Sequence, residues 1–342
     1  MKNNSTYKTA FVFLVLALIL CFFINISLGS VSIPNQKIIE SFFTPLNNRA
    51  WQHIIIDYRL PKAFTAIIVG SGLGISGLMM QTLFKNPLAG PYVLGITSGA
   101  SLGVALTIMG TSFLGHYLAI NLTSKWSVII AASAGSFLVL LSVIMVSSKI
   151  KDTMALLIIG LMFGSITAAI VSVLSYFSSA EALQQYIFWG FGSLGNLTWQ
   201  ELFILSIIYS IAIIISIGNI KALNTFLLGD NYAVSLGLNI KKSRLLIITA
   251  TSLLAGTITA FVGPIAFVGL AVPHITRQVF NTSNHKILLP AVFLIGAIIM
   301  LICDTTAQLP TSDYTLPINA ITSLFGAPIV IWLLLRKRKL IF

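Results

Sequence analysis

Acid–base, metal and nucleophilic chemistry depend on carboxylates, histidines and thiols, and this chain holds few of them, far apart. Eight aspartates and glutamates and four histidines are spread over 342 residues. His53, His116, His274 and His285 match no metal-ligand spacing, and so few acids allow no Ser–His–Asp arrangement to be argued. Cys21 and Cys303 lie in or beside apolar runs, and a disulfide between them is not expected. Lys242-Ser243 looks like the end of a phosphate-binding loop, but Leu236 and Lys241 stand where that loop needs glycines. The expectation is therefore no catalytic residue, no metal site and no ATP hydrolysis by this chain. Uphill work would draw on another subunit.

The few acids also avoid the apolar interiors. Asp57 lies just before the second apolar run and Asp304 at the end of the ninth. Ionisable groups inside a membrane are expensive and persist where ion coupling or catalysis uses them. Their shortage counts against a membrane enzyme and against an ion-coupled secondary transporter. The latter stays as the alternative, because backbone carbonyls can also bind sodium.

The elements that carry these residues are apolar and long. Hydrophobic residues make up 57% of the chain and charged residues 8%, against about 25% charged in soluble domains. Ten segments approach the roughly 20 apolar residues that cross a bilayer: 9–28, 64–84, 93–114, 126–147, 154–177, 202–220, 245–262, 265–280, 287–303 and 317–335. The expected fold is all-α: a polytopic membrane protein of about ten transmembrane helices, one permease domain over 1–342. Gly263-Pro264 breaks the long run 245–280 into two helices. Lys2 and Lys8 before Phe11 to Leu28 resemble a secretory signal. The run is longer than a signal core and lacks a clean small-residue cleavage site, so a first membrane span is expected.

The net charge of +12 would point to nucleic acid if it covered one folded face. Instead the cations sit between apolar runs. With ten crossings and the N-terminus inside, only Lys37, Arg49, Arg59, Lys62 and Lys125 of the 20 lysines and arginines fall outside. The positive-inside rule then places both termini on the cytoplasmic side of the membrane, and the spread of the cations argues against nucleic acid as a partner. Three connections are long: Gly29 to Asp57 and Ser178 to Glu201 outside, and about 221–244 inside. Gln184 to Trp189 reads equally as a short interfacial helix or as an aromatic anchor. Glycines and serines crowd the second and third spans, as close helix packing requires.

Four stretches stand out. The first is Arg59-Leu60-Pro61-Lys62, followed by Gln81, Asn86-Pro87-Leu88-Ala89-Gly90-Pro91 and Leu94-Gly95. Then come Leu228-Gly229-Asp230-Asn231-Tyr232-Ala233-Val234-Ser235-Leu236-Gly237, Phe267 to Arg277 with Pro273-His274 inside it, and Leu324-Phe325-Gly326-Ala327-Pro328. Asp230 suits an N-cap, Asn231 to Leu236 a short helix and Gly237 its C′ position. Ala233 and Leu236 at i, i+3 fit helix-in-groove docking, although spacing alone favours an ordinary amphipathic loop helix. His274 and Arg277 fit a helix-end cap or an interface.

Together, in this order, the four stretches resemble the FecCD-type permease family, the membrane subunits of ABC importers for iron–siderophores, haem and cobalamin. The resemblance implies a permease subunit of a binding-protein-dependent importer, carrying a metal chelate with an iron–siderophore foremost. It implies a cytoplasmic ABC ATPase dimer that uses the ATP, an extracytoplasmic substrate-binding protein, and a second permease copy or paralogue. It also implies that this chain itself binds no cofactor. Gly229, Asp230, Ala233, Leu236 and Gly237 would receive the ATPase. Asn86, Leu88 and, by a poorer local match, Thr153 would form the cytoplasmic gate. Arg59 and Lys62 would meet acidic residues of the binding protein, although Lys62 stands where the family more often has arginine, and Gln308 where some relatives carry another. Pro273, His274 and Arg277 would form an inner-face motif.

Overall fold

The computed structural model describes residues 4–44, 48–110, 124–149, 153–309, 312 and 314–335. Every regular element among them is helical. In chain order these are α1 (Asn4–Ser27), α2 (Asn35–Glu40), α3 (Arg49–His53), a π-helical turn (Ile54–Arg59) and α4 (Leu60–Phe84). A 3-10 turn (Pro91–Leu94), α5 (Ile96–Ile108), α6 (Lys125–Lys149), α7 (Thr153–Phe177) and α8 (Ala180–Phe191) follow. The rest are α9 (Trp199–Gly218), α10 (Ile220–Phe226), α11 (Asp230–Ser235), α12 (Ile240–Val262), α13 (Val268–Phe280), α14 (His285–Ala307) and α15 (Ile318–Leu335).

The helices gather into two compact units that the chain visits alternately. One takes the residues up to Ile75, Ser193–Ile207 and the chain from Ile265; the other takes Ser76–Gly192 and Ile208–Pro264. In the first, α14 packs against α1, α13 and α15. Gly70 of α4 and Gly296 of α14 lie so close that neither has room for a Cβ against the other's carbonyl. Small residues allow such backbone approach, which apolar attraction alone does not drive in lipid. Phe280 closes the far end of this unit against the rings of Phe11 and Tyr7, at 5.0 and 6.1 Å between centroids.

In the second unit α5 packs on α6, α7, α8 and α12. Gly99 and Gly135 oppose each other as Gly70 and Gly296 do. The Ser136 hydroxyl donates to the Ile96 carbonyl at 3.2 Å, which settles a polar group inside the apolar stack. α12 ends at Gly263, whose φ of 81° no β-carbon residue adopts easily. The break expected at Gly263-Pro264 is therefore present, with α13 beginning at Val268.

Seven helical stretches among the described residues are long and apolar enough to cross a membrane. The other three expected spans fall on shorter helices. α5 and α13 have 13 residues each and so rise about 20 Å, short of the roughly 30 Å hydrocarbon layer. α15, with 18 residues, is borderline. The third span was expected to begin at 93. Instead the 3-10 turn and Gly95, at φ 76°, occupy its start, and residues 111–123 lie outside the described residues. Gln184 to Trp189 belongs to a longer helix, α8, capped by the Ser179 side chain.

Candidate functional site

The loop about 221–244 folds as two short helices ahead of α12. α10 buries Ala222, Leu223 and Phe226, and α11 packs between α10 and α12. Gly229, at φ 102°, caps α11 with its backbone alone. Asp230 is thus the first helical residue rather than the expected N-cap. Its carboxylate turns to cations instead: Lys85 Nζ lies 2.9 Å away and Arg244 3.7 Å. Gly237 does take the C′ position, at φ 79°, and the Leu238 N–H reaches back 3.0 Å to the Ala233 carbonyl.

Ala233 was expected on the displayed side of this helix and is not there. It is 0% exposed, because a six-residue helix lying on two neighbours must turn one side inward. Leu236 is 66% exposed, and Leu228, Tyr232 and Val234 are exposed beside it. These four large apolar side chains make up the open face of the loop, and Ala233 is its foot.

α4 ends at the other candidate region. The Asn86 N–H bonds to the Gln81 carbonyl at 3.1 Å, a Schellman-type closure with Lys85 in the left-handed conformation at φ 47°. Asn86 Oδ1 then accepts the Leu88 N–H at 2.9 Å, so asparagine shapes the turn directly. Leu88 projects outward and is exposed. The Lys85–Asp230 pair brings this turn to the foot of α11, a juxtaposition no local pattern signalled. Thr153 begins α7, and its side chain lies outside the described residues.

Arg59 and Lys62 were expected as accessible rim charges. The structure corrects this: they are 5% and 8% exposed. The π-helical turn adds a residue to the last turn before α4. Arg59, its last residue, is buried, with its guanidinium donating to the carbonyls of Ile26, Ser27 and Val31 around the end of α1. Lys62 faces the buried carboxylate of Asp304 at 3.3 Å. The amides of Asn25 and Gln308 both donate to Asp304 Oδ2 at 2.8 Å. A buried charge is tolerable when paired and hydrogen-bonded, and Asp304 has both. The cations are spent on holding α1, α4 and α14 together, within one unit.

Pro273 and His274 lie in the middle of α13 and are buried, so neither offers a contact surface. Arg277 is half-buried in its last turn, and its carbonyl accepts the N–H of Asn281, the C-cap. Glu201, the other buried acid among the described residues, belongs to a capping box: its carboxylate accepts the Thr198 N–H at 2.7 Å while Thr198 Oγ1 receives the Glu201 N–H. That one was readable as Thr-x-x-Glu before an apolar run. For Lys62 and Asp304 the available signal was weaker: opposite charges in apolar surroundings need each other.

Comparison with known proteins places this arrangement. The model of the FecCD transport family matches residues 17–336. The hemin transport system permease protein HmuU of Yersinia pestis is 34% identical over 328 residues, 95% of this chain and 96% of that one. The vitamin B12 import system permease protein BtuC of Salmonella typhi is 34% identical over 282 residues, 82% of this chain and 83% of that one. A solved structure, described as an inward-facing conformation of a transporter of the metal-chelate ABC type, superposes with a TM-score of 0.84 at 30% identity. It covers 96% of this chain and 99% of its own.

Proposed function

Because the chain belongs to the FecCD transport family of membrane permeases, we propose that it is the translocating subunit of a binding-protein-dependent ABC importer for a metal chelate. An iron–siderophore is the first candidate cargo, with haem and cobalamin as the others; the relatives named for hemin and vitamin B12 support that class of bulky chelate. Energy comes from a separate cytoplasmic ABC ATPase dimer, and cargo from an extracytoplasmic binding protein. A second permease copy or a paralogue completes the translocation path. Both termini face the cytoplasm, and the whole chain works as one permease domain. Neither compact unit is a continuous segment, which supports that last point.

The observation that carries the reading is the open apolar face of the 221–244 loop. Tyr232 and Val234 are exposed on α11 and Leu228 and Leu236 beside its two ends, where Gly229 and Gly237 take positive-φ conformations. Four large apolar side chains on a connecting loop fit a partner groove. The docking group is therefore Leu236 with Tyr232 and Val234. Gly229 and Gly237 set the chain direction, and Ala233 anchors the helix. Asn86 and Leu88 form a gate turn, Thr153 marks the second gate segment, and Arg59 and Lys62 support the outer mouth from within.

Loss of the Walker A lysine in the partner ATPase should abolish chelate uptake by the reconstituted complex while assembly persists. Uptake that continues with that variant and collapses when the proton gradient is dissipated would establish the ion-coupled alternative instead.

A further inference from the structure

Lys85, Asp230 and Arg244 join three segments that are far apart in sequence. Lys85 is the left-handed residue between the end of α4 and the Asn86–Leu88 turn. Asp230 is the first residue of α11, and Arg244 lies in the first turns of α12, buried beneath the loop. The Asp230 carboxylate is 2.9 Å from Lys85 Nζ and 3.7 Å from Arg244 Nη2. Lysine is a poor occupant of the left-handed region, where glycine or asparagine would fit with less strain. A lysine at Lys85 makes sense where its charge is needed at that point.

We propose that this charge triad is the mechanical link between the ATPase-docking helix and the gate turn. It rests on the functional reading above. α11 has two positive-φ glycines at its ends, and a Cβ at either would meet nothing within 4 Å, so the backbone has room to reorient there. Displacement of α11 by a docked partner moves Asp230, its first residue. Lys85 follows by charge, and with it the turn that Asn86 shapes. The Lys85–Asp230 pair is half-exposed, the range in which an ion pair is weak enough to break and re-form. Arg244 offers Asp230 a second, buried cation 3.7 Å away, so the carboxylate remains partnered when it leaves Lys85. Asp230 is a positioning residue in this scheme, acting through Lys85 on Asn86 and Leu88.

The test reads the motion of the gate turn without needing the cargo. The full-length permease, with Cys21→Ser, Cys303→Ala and Leu88→Cys, is assembled with its ATPase in proteoliposomes. The labelling rate of residue 88 by a membrane-impermeant maleimide is compared with and without ATP and vanadate. ATP should change that rate in the parent. In Lys85→Asn, which suits the left-handed turn but removes the charge, the ATP-dependent change should shrink by about fivefold, the most that an exposed pair supports. Recovery of the ATPase with the permease confirms that the variant has folded. Lys85→Glu should abolish the response. A Lys85→Asn complex that responds like the parent overturns the link, as does a Lys85→Glu complex that keeps the response. An assembled parent whose turn does not respond to ATP overturns it too. A parent that recruits no ATPase overturns the functional reading, and the link with it.

Discussion

Buried charge is the residue-scale feature that most changes how this chain should be probed. Arg59 and Lys62 lie in the stretch that resembles a binding-protein contact, yet both are enclosed, one among three carbonyls and the other against Asp304. Removing one member of a buried pair strands its partner at a cost of about 3–5 kcal/mol, whereas replacing both with apolar residues is often near neutral. Lys62→Met should therefore lower the melting temperature in detergent sharply. Adding Asp304→Leu to it should recover most of the loss. A Lys62→Met protein that melts with the parent would show that Asn25 and Gln308 alone satisfy Asp304. Reversing Arg59 or Lys62 to Glu would perturb folding before it altered encounter with a partner, so it makes an unsound docking test. Lys62 in place of the more usual arginine also fits, since one carboxylate already taken up by two amides needs a single point charge rather than a fork.

Elements shorter than a membrane span carry the functional features. α11 has six residues, and its two sides have opposite fates: Ala233 inward, Tyr232, Val234 and Leu236 outward. Leu236→Arg should leave the purified permease intact and abolish co-purification of the ATPase, because a long charged side chain would have to enter an apolar groove unpaired. Ala233→Arg should instead reduce the yield of folded permease itself, since residue 233 has no room or partner for a guanidinium. If Leu236→Arg retains the ATPase fully, the exposed face of α11 is not the docking surface. Gly237→Val should cost roughly 1–2 kcal/mol through its left-handed backbone alone, read as a lowered melting temperature and weakened ATPase retention. α5 and α13 follow the same pattern: each has only 13 residues, α5 coming directly after the stretch that ends at Gly95 and α13 carrying most of the stretch Phe267 to Arg277.

At the scale of the whole molecule, the orientation argued from cations has a direct check. Single cysteines replacing Glu181 at the start of α8 and Lys241 at the start of α12 are both exposed positions. In intact cells an impermeant maleimide should label the first and reach the second only after the membrane is opened. Labelling of residue 241 from outside would invert the topology and remove the 221–244 loop from any cytoplasmic partner. One unit is built from three separated stretches of chain and the other from two, so their formation needs contacts between residues far apart in sequence, such as Asn25 with Asp304. Non-local pairing of that kind is slow to establish, because loop closure precedes the contact that rewards it.

Sequence alone determined the all-helical membrane class, because 57% hydrophobic and 8% charged residues leave no soluble alternative. It also placed the break at Gly263-Pro264 and the turn at Gly237, where backbone chemistry is local. The family was legible too, from four motifs in order. Tertiary structure decided which residues of those motifs are accessible. Helical spacing puts Ala233 and Leu236 on neighbouring positions, but only packing on α10 and α12 sends one inward and leaves the other out. Likewise the sequence showed a lysine at 62 and an aspartate at 304, and the fold alone made them partners. Charge is a local property, whereas burial and pairing belong to the folded chain, and in an apolar medium it is pairing that decides whether a charge holds the structure together or meets a partner.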